Sequence, residues 1–98
     1  RGDIKLDEVS RKVYVDEEHV GLTLKEYELL HLFMQNPEIV YSRDTLLEKV
    51  WGYGYSGGTR TVDTHIKTLR IKLGKFSEKA SDAIQTVWGI GYRFDHVK

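Results

Sequence analysis

Positive charge is concentrated in one short segment of this sequence, RTVDTHIKTLRIKLGK, at residues 60–75. The segment has five basic side chains and one acidic one, whereas the 98-residue chain has 15 of each sign and a formal net charge of zero. Lys and Arg can neutralise phosphates or hydrogen-bond guanine, and Thr can bond a base edge or touch a thymine methyl. Such a local field attracts a polyanion even when the total charge is zero. The segment therefore indicates a nucleic-acid contact.

Helical spacing divides this segment into two faces. At about 100° per residue, the apolar side chains form one stripe that must face the core: Val62, Ile66, Leu69 and Leu73. The opposite face carries Arg60, Thr64, Lys67, Thr68, Ile71 and Lys75. It predicts base reading by Thr64, Lys67, Thr68 and Ile71. Arg70 and Lys72 flank the face and are better placed for backbone phosphates. A solvated helix face is the alternative, but it would usually intersperse acids for i,i+4 pairing, and only Asp63 is acidic here.

The remaining side chains form no recognisable catalytic or metal site. His19, His31, His65 and His96 are too far apart for a local metal-ligand spacing, and the chain has no cysteine. Gly89-Ile90-Gly91 is too short for a dinucleotide fingerprint, and no nucleophile signature is present. We therefore expect no metal, no cofactor and no enzymatic activity. We also expect no membrane span, because no long apolar run or signal-peptide pattern occurs, and the lack of cysteine fits a reducing compartment.

The first half of the chain predicts a small sheet and two helices. Short alternations over residues 1–22 predict antiparallel strands. Thr23 and Glu26 form a capping box that begins the first helix, and Asn36-Pro37 ends it. Ser42 is the candidate cap of a short second helix that ends near Trp51.

The second half supplies the charged helix and a hairpin. A glycine-rich loop, residues 52–58, precedes the third helix, which runs from about Thr59 to Leu73 with Gly74 as its C-cap. Residues 74–83 predict a polar connector, and residues 84–94 predict a β-hairpin with a Gly-Ile-Gly turn. This is the layout of an α+β winged helix-turn-helix. In that layout the third helix enters the DNA major groove, and the hairpin, or wing, touches the neighbouring backbone or minor groove.

Four strings in this order, LTLKEYELLHLF, VYSRDTLLEKVWG, RTVDTHIKTLRIKLG and TVWGIGYRF, resemble the C-terminal effector domain of the OmpR/PhoB family of bacterial response regulators. The resemblance extends from about Ile4 to Phe94. It implies one domain over residues 1–98, with an N-terminal four-stranded antiparallel sheet, three helices and a C-terminal hairpin wing. The chain does not start with Met, which fits a domain excised from a longer protein.

The resemblance also implies partners and a cellular setting. An N-terminal receiver domain, absent from this chain, would be phosphorylated by a cognate sensor histidine kinase in the bacterial cytoplasm. Phosphorylation would promote pairing of two regulators, whose effector domains would bind a direct-repeat operator in double-stranded DNA as a tandem homodimer. RNA polymerase would be a further partner in transcription regulation.

Individual residues receive roles from the same resemblance. Backbone phosphates would be contacted by Arg43, Trp51, Arg60, Thr61, His65, Arg70 and Tyr92. Base reading would fall to Thr64, Lys67 and Thr68. The wing residues are Trp88, Gly89 and Arg93. The loop where family members can touch RNA polymerase corresponds to Tyr53, Gly54, Tyr55 and Ser56, although a plain flexible connector is the alternative.

Two positions depart from the family pattern. Thr68 stands where several relatives carry Arg, and it cannot make a bidentate guanine contact. Trp88 stands where many carry an Arg that enters the minor groove, and it lacks the charge that a narrow minor groove favours. We expect Trp88 to pack over the hairpin, with stacking on a sugar edge as the alternative. Arg93 should not replace the missing charge, because strand alternation puts it on the other face from Tyr92 and Phe94.

A protein-interaction module is the rival hypothesis for the same charges. A winged-helix domain could use its third helix against an acidic protein partner. Lys67 separates the two hypotheses. If the helix reads DNA, Lys67→Ala should lower affinity and alter the preferred sequence. If the helix docks protein, binding to duplex DNA should be absent from the start.

Overall fold

The computed structural model describes residues 4–95, so His96 lies outside the described residues. The strands are β1 (Ile4–Asp7), β2 (Lys12–Val15), β3 (Glu18–Val20), β4 (Val40–Ser42), β5 (Ile84–Val87) and β6 (Gly91–Phe94). The helices are α1 (Leu24–Gln35), α2 (Arg43–Leu46), α3 (Arg60–Gly74) and α4 (Glu78–Asp82), and a π-helical segment, Leu47–Trp51, continues α2. This order of helices and antiparallel strands confirms the predicted α+β class.

The N-terminal sheet has three strands within residues 4–95, not the four that were expected. Its order is β1-β2-β3, and the pairs Ile4↔Val15 and Val13↔Val20 place apolar side chains on the covered face. No further strand fits before α1, because β3 ends at Val20 and Thr23 already caps the helix. The next strand along the chain, β4, pairs with the wing instead.

The wing hairpin belongs to a second three-stranded sheet, of order β4-β6-β5. Gly91 lies opposite Ser42 in the β4–β6 pair. A Cβ atom at Gly91 would lie 1.9 Å from the carbonyl oxygen of Tyr41, so only glycine permits this close approach. The strand that precedes α2 is thereby joined to the central strand of the wing.

Side-chain caps begin the first two helices where the sequence predicts them. The Thr23 Oγ1 accepts from the Glu26 N–H at 3.3 Å, and the Glu26 Oε1 accepts from the Thr23 N–H at 2.8 Å. These reciprocal bonds satisfy two free helix N–H groups. The Ser42 Oγ accepts from the Thr45 N–H at 3.1 Å in the same way. After α2 the turn widens, because the Gly52 N–H reaches the Leu47 carbonyl at 3.2 Å as well as that of Glu48 at 3.0 Å.

The third helix and its surroundings differ from the prediction at the C-terminal end. Helix α3 extends through Gly74, so Gly74 is not the cap, and Lys75 has the cap position in an ordinary helical conformation. The predicted polar connector contains a further short helix, α4. The Ser77 Oγ accepts from the Ala80 N–H at 3.2 Å, and Ala80 is fully buried. A cap followed by small apolar residues was the signal for this helix.

The core confirms the predicted buried stripe of α3. Val62, Ile66, Leu69 and Leu73 are all buried, and they share the core with large side chains from α1, β1 and β6, among them Phe33, Ile4 and Phe94. Burial of this stripe directs the remaining face of α3 outward. None of the helices in the described part of the chain has the length and hydropathy that crossing a membrane requires.

Candidate nucleic-acid interface

The outward face of α3 carries three of the four predicted base-reading residues. Thr64, Lys67 and Ile71 are exposed, and Arg60 is exposed at the first turn of the same helix. The Thr64 hydroxyl donates to the Arg60 carbonyl at 3.0 Å within the helix. Lys67, which has a long cationic side chain, lies at the middle of this face.

A cleft between α3 and the wing joins this face to the hairpin. The cavity measures about 520 Å³ and is lined by side chains from four elements and the wing turn, including Arg43, Lys67, Arg70, Ile71, Trp88 and Tyr92. These six residues are far apart in sequence, and the structure brings them together. They include two predicted base readers, three predicted phosphate ligands and the central residue of the wing.

Asp63 holds two of the predicted phosphate ligands. The Tyr92 hydroxyl donates to the Asp63 Oδ1 at 2.6 Å, and the Arg43 Nε lies 3.0 Å from the same oxygen. Burial, and then the hydrogen bond and charge of Asp63, raise the pKa of Tyr92 above its ordinary 10.0, against the opposing charge of Arg43. In the sequence Asp63 stood out only as the one acidic residue of the basic segment, so this organising role was missed. Because a phosphate also accepts, the single Tyr92 proton can serve Asp63 or a phosphate, not both.

Arg70 is hydrogen-bonded to the wing. Its Nε donates to the Ile84 carbonyl at 3.0 Å, its Nη2 donates to the Thr86 Oγ1 at 2.8 Å, and its guanidinium lies 5.4 Å from the Tyr92 ring centroid. Burial lowers the pKa of Arg70, and the Tyr92 charge acts in the opposite direction. These contacts fix the wing against α3. They give Arg70 a positioning role in addition to its predicted contact with phosphate.

Glu26 accepts hydrogen bonds from Thr68 and Lys72 of α3. The Glu26 side chain is only 2% exposed. The Thr68 hydroxyl donates to its Oε2 at 2.5 Å, and the Lys72 Nζ donates to its Oε1 at 2.6 Å. Burial raises the pKa of Glu26, but the hydrogen bonds from Lys72, Thr68 and Thr23 outweigh it and leave the pKa below its ordinary 4.5.

The Glu26 contacts engage the two donors away from the partners predicted for them, a base edge for Thr68 and a phosphate for Lys72. The Thr68 hydroxyl and the Lys72 ammonium point to a buried carboxylate and not to the outward face of α3. The sequence could not show this, because Glu26 lies 42 and 46 residues away from them. The structure therefore gives Thr68 and Lys72 a positioning role between α1 and α3.

The remaining predicted phosphate ligands surround the N-terminus of α3. The His65 Nδ1 lies 2.7 Å from the Thr61 carbonyl, to which it donates, and the His65 ring packs edge-on against Trp51 with centroids 4.9 Å apart. Lys25, which the sequence did not single out, donates to the Val50 carbonyl at 2.9 Å and lies 5.9 Å from the Trp51 ring centroid. Trp51, the last residue of the π-helical segment, is thus packed between Lys25 of α1 and His65 of α3.

The wing tip exposes Trp88, so the expected packing over the hairpin is wrong. Its side chain is 89% exposed. The Ile90 N–H donates to the Val87 carbonyl at 3.0 Å, and Gly89 has a φ of +80°, which together make a type II turn with glycine in its third position. Trp88 occupies the second position, at the corner of the turn. Arg93 points elsewhere, as strand alternation predicts, and its Nε donates to the Asp95 Oδ1 at 2.6 Å.

The loop between the π-helical segment and α3 is exposed throughout the predicted polymerase-contacting residues, Tyr53, Gly54, Tyr55 and Ser56. Tyr53 is 88% exposed. The Tyr55 ring instead packs beside Trp51, with the two ring centroids 6.3 Å apart. The loop therefore presents one aromatic side chain to solvent and anchors the other.

His31 contacts an acidic side chain and an aromatic ring. The His31 Nε2 lies 2.7 Å from the Glu8 Oε1, and its ring stacks on Tyr27 with centroids 5.7 Å apart. Within residues 4–95, no three His, Cys, Asp or Glu side chains are arranged to hold a metal ion.

Comparison with known proteins places these features in a family. The family model described as "Transcriptional regulatory protein, C terminal" matches residues 16–94. The chain is 48% identical over 92 residues to the transcriptional regulatory protein ResD of Bacillus subtilis and 47% identical over 92 residues to SrrA of Staphylococcus aureus. In both cases the match covers 94% of this chain but only 38% of the relative, so the chain spans less than half the length of these regulators.

A solved structure shows the same fold in contact with nucleic acid. The DNA-binding domain of the response regulator AdeR, in complex with an intercistronic region, superposes with a TM-score of 0.87 at 29% identity. The superposition covers 98% of this chain and 97% of that one.

Proposed function

This chain belongs to the family of C-terminal domains of transcriptional regulatory proteins, of the OmpR/PhoB response-regulator type, and we propose that it binds double-stranded DNA sequence-specifically and regulates transcription. The observation that carries the proposal is the cleft between α3 and the wing, in which predicted base readers and phosphate ligands share one surface. The AdeR domain, which has this fold, is in complex with an intercistronic region.

Base reading falls to the exposed face of α3. Lys67 reaches from the middle of the helix and can donate to guanine O6 and N7 in the major groove. Thr64 and Ile71 lie on the same exposed face, and their methyl groups can contact thymine methyls. Thr68 takes no direct part, because its hydroxyl is bonded to Glu26. The helix therefore reads fewer bases than it would with an Arg at position 68, which could bond a guanine.

Phosphate contacts flank the reading face on two sides. Arg60 and Thr61 lie at the N-terminus of α3, where the helix dipole favours an anion. His65 and Trp51 extend this edge. On the other side, the remaining guanidinium donors of Arg43 can reach a phosphate while its Nε stays on Asp63. These contacts position the domain and carry no sequence information themselves.

The whole regulator is proposed to contain a receiver domain before this chain. Its relatives are more than twice as long as the matched region. In this proposal a sensor histidine kinase phosphorylates the receiver in the cytoplasm, and two regulators then bind a direct repeat in tandem. The exposed Tyr53 in the loop before α3 is proposed to contact RNA polymerase.

The salt dependence of duplex binding tests DNA binding. A protein that neutralises phosphates loses affinity with a log–log slope of about −0.9 per phosphate. We expect a steep slope for the wild type and a weaker affinity with altered sequence preference for Lys67→Ala. Lys79→Ala is the matched control, because Lys79 is also exposed but lies on α4, outside the cleft. The absence of salt-sensitive binding to any duplex would refute the proposal and favour an acidic protein partner.

A further inference from the structure

We propose that the wing contacts DNA through an uncharged anchor, with the Trp88 indole packed against the deoxyribose walls of the minor groove beside the major groove that α3 reads. This inference rests on the proposed function, and it names what part of the DNA the wing recognises. It differs from an arginine-type wing contact, which depends on positive charge in a narrow groove.

The position of Trp88 is set by the backbone. The type II turn at Val87–Ile90 is closed by a hydrogen bond and by the positive φ of Gly89. Trp88 at its corner is 89% exposed, and the neighbouring Ile90 is 60% exposed. Two large apolar side chains therefore project from the tip of a hairpin that is itself joined to β4. An indole held on a defined turn can contact a partner without ordering a loop.

The direction of Trp88 follows from its neighbours. Trp88 and Thr86 line the same cleft as Lys67 and Ile71 of α3. The exposed indole is therefore continuous with the surface that carries the base readers. A duplex seated on α3 would meet the wing tip on the same side.

The turn at the wing tip, VWGIG at residues 87–91, carries no charged side chain of its own. Arg70 donates to Ile84 and Thr86, and Arg93 is paired with Asp95. An exposed indole on a turn that carries no charge of its own suits the apolar faces of sugars, or a partly unstacked base step, in a groove of ordinary or increased width.

Two variants separate an apolar contact from an ionic one. Binding is measured by fluorescence anisotropy at several salt concentrations, with labelled duplexes that carry one or two copies of a half-site recovered by selection from a random pool. Trp88→Ala should weaken binding by at least about fivefold, as expected for lost aromatic stacking, with an unchanged salt slope. Trp88→Arg should make the log–log slope steeper by about 0.9. Val9→Ala, at a 97% exposed position in the β1–β2 turn, should bind as the wild type does.

Tryptophan fluorescence supplies a second readout. The chain has two tryptophans, Trp51 and Trp88, so the difference between wild type and Trp88→Phe reports the wing. Acrylamide should quench the Trp88 signal readily in the free protein and weakly in the complex. Equal quenching in both states would overturn the proposal.

The outcomes distinguish this inference from the function on which it rests. If the wild type shows no salt-sensitive duplex binding, the proposed function itself fails. If the wild type binds and Trp88→Ala binds equally well, only the wing contact fails. A loss that occurs on the two-site duplex but not on the single half-site would place Trp88 against the second protein copy, and would also overturn the DNA contact.

Discussion

The Thr68 hydroxyl donates to the Oε2 of Glu26 at 2.5 Å and so joins the DNA-facing helix to the capping box of the first helix. The same carboxylate accepts from the Thr23 N–H and from the Lys72 ammonium. One buried carboxylate therefore caps α1 and fixes how α3 lies against it. The orientation of α3 decides which of its side chains face outward. The Thr68–Glu26 hydrogen bond therefore affects both the stability of the fold and the position of the exposed face of α3.

Removal of the Thr68 hydroxyl should destabilise the domain. Thr68→Val keeps the side-chain shape but deletes a hydrogen bond to a buried carboxylate, which should lower the free energy of unfolding by about 1.5 to 3 kcal/mol in a urea titration. Thr64→Val is the matched control on the same helix, because the Thr64 hydroxyl is exposed and bonds only the Arg60 carbonyl. Its loss should stay within about 0.5 kcal/mol. Equal losses for the two variants would contradict the role given to Glu26.

Low pH should remove the stabilisation of the fold that ionised Glu26 contributes. Its pKa is lowered in the folded state, so its ionised form stabilises the fold above the ordinary value of 4.5, and this stabilisation is lost as the pH falls through the folded pKa. The stability difference between wild type and Glu26→Gln should be constant near neutral pH and shrink below pH 4.5. Urea titrations across this range measure it. Glu28→Gln, which breaks only a 3.5 Å contact with Lys25, should show a small difference at neutral pH. A pH-independent gap for Glu26→Gln would contradict the assignment.

Tyr92→Phe should separate folding from DNA binding. The Tyr92 side chain is buried, and its proton is donated to Asp63. The variant should lose about 1.5 kcal/mol of stability or more, because a charged acceptor loses its partner. The salt slope of DNA binding should not change, because the Tyr92 hydroxyl is uncharged and neutralises no phosphate. A slope less steep by about 0.9 would show instead that Arg43, which shares Asp63 with this hydroxyl, loses a phosphate contact in the variant.

Tyr53→Ala should uncouple transcription from DNA binding. The side chain is exposed in the loop before α3 and lies outside the cleft. In a reconstituted transcription assay with RNA polymerase, the full-length regulator with this change should occupy its operator normally but change transcript levels less than the wild type does. Val9→Ala, at an exposed position in the β1–β2 turn, should behave as the wild type in both assays. Unchanged transcription by Tyr53→Ala would contradict the polymerase contact.

Local signals predicted the elements that carry the candidate interface. The apolar stripe of α3 and the capping box at Thr23 depend on spacings of three or four residues, and the structure confirms both. The missing fourth N-terminal strand came from the family resemblance, whereas the sequence from Gly21 to Thr23 leaves no room for it. Helix α4 was missed because its cap, Ser77, lies in a polar stretch.

Long-range contacts were beyond the reach of the sequence. Helical spacing puts Thr68 on the polar face of α3, but only the packing of α1 against α3 places a buried carboxylate beside it. The same holds for Asp63, whose partners come from α2 and β6. Trp88 was expected to pack over the hairpin, yet the type II turn holds it at the corner, where it is 89% exposed.

Selection from a random duplex pool at near-physiological salt tests sequence-specific DNA binding most directly. The wild-type domain, used singly and as two copies joined by a linker, should enrich a direct repeat with centres about one helical turn apart. Lys67→Ala should relax the preference at one position within each half-site. Absence of enrichment with the linked pair, while circular dichroism shows a folded domain, would contradict DNA recognition by α3.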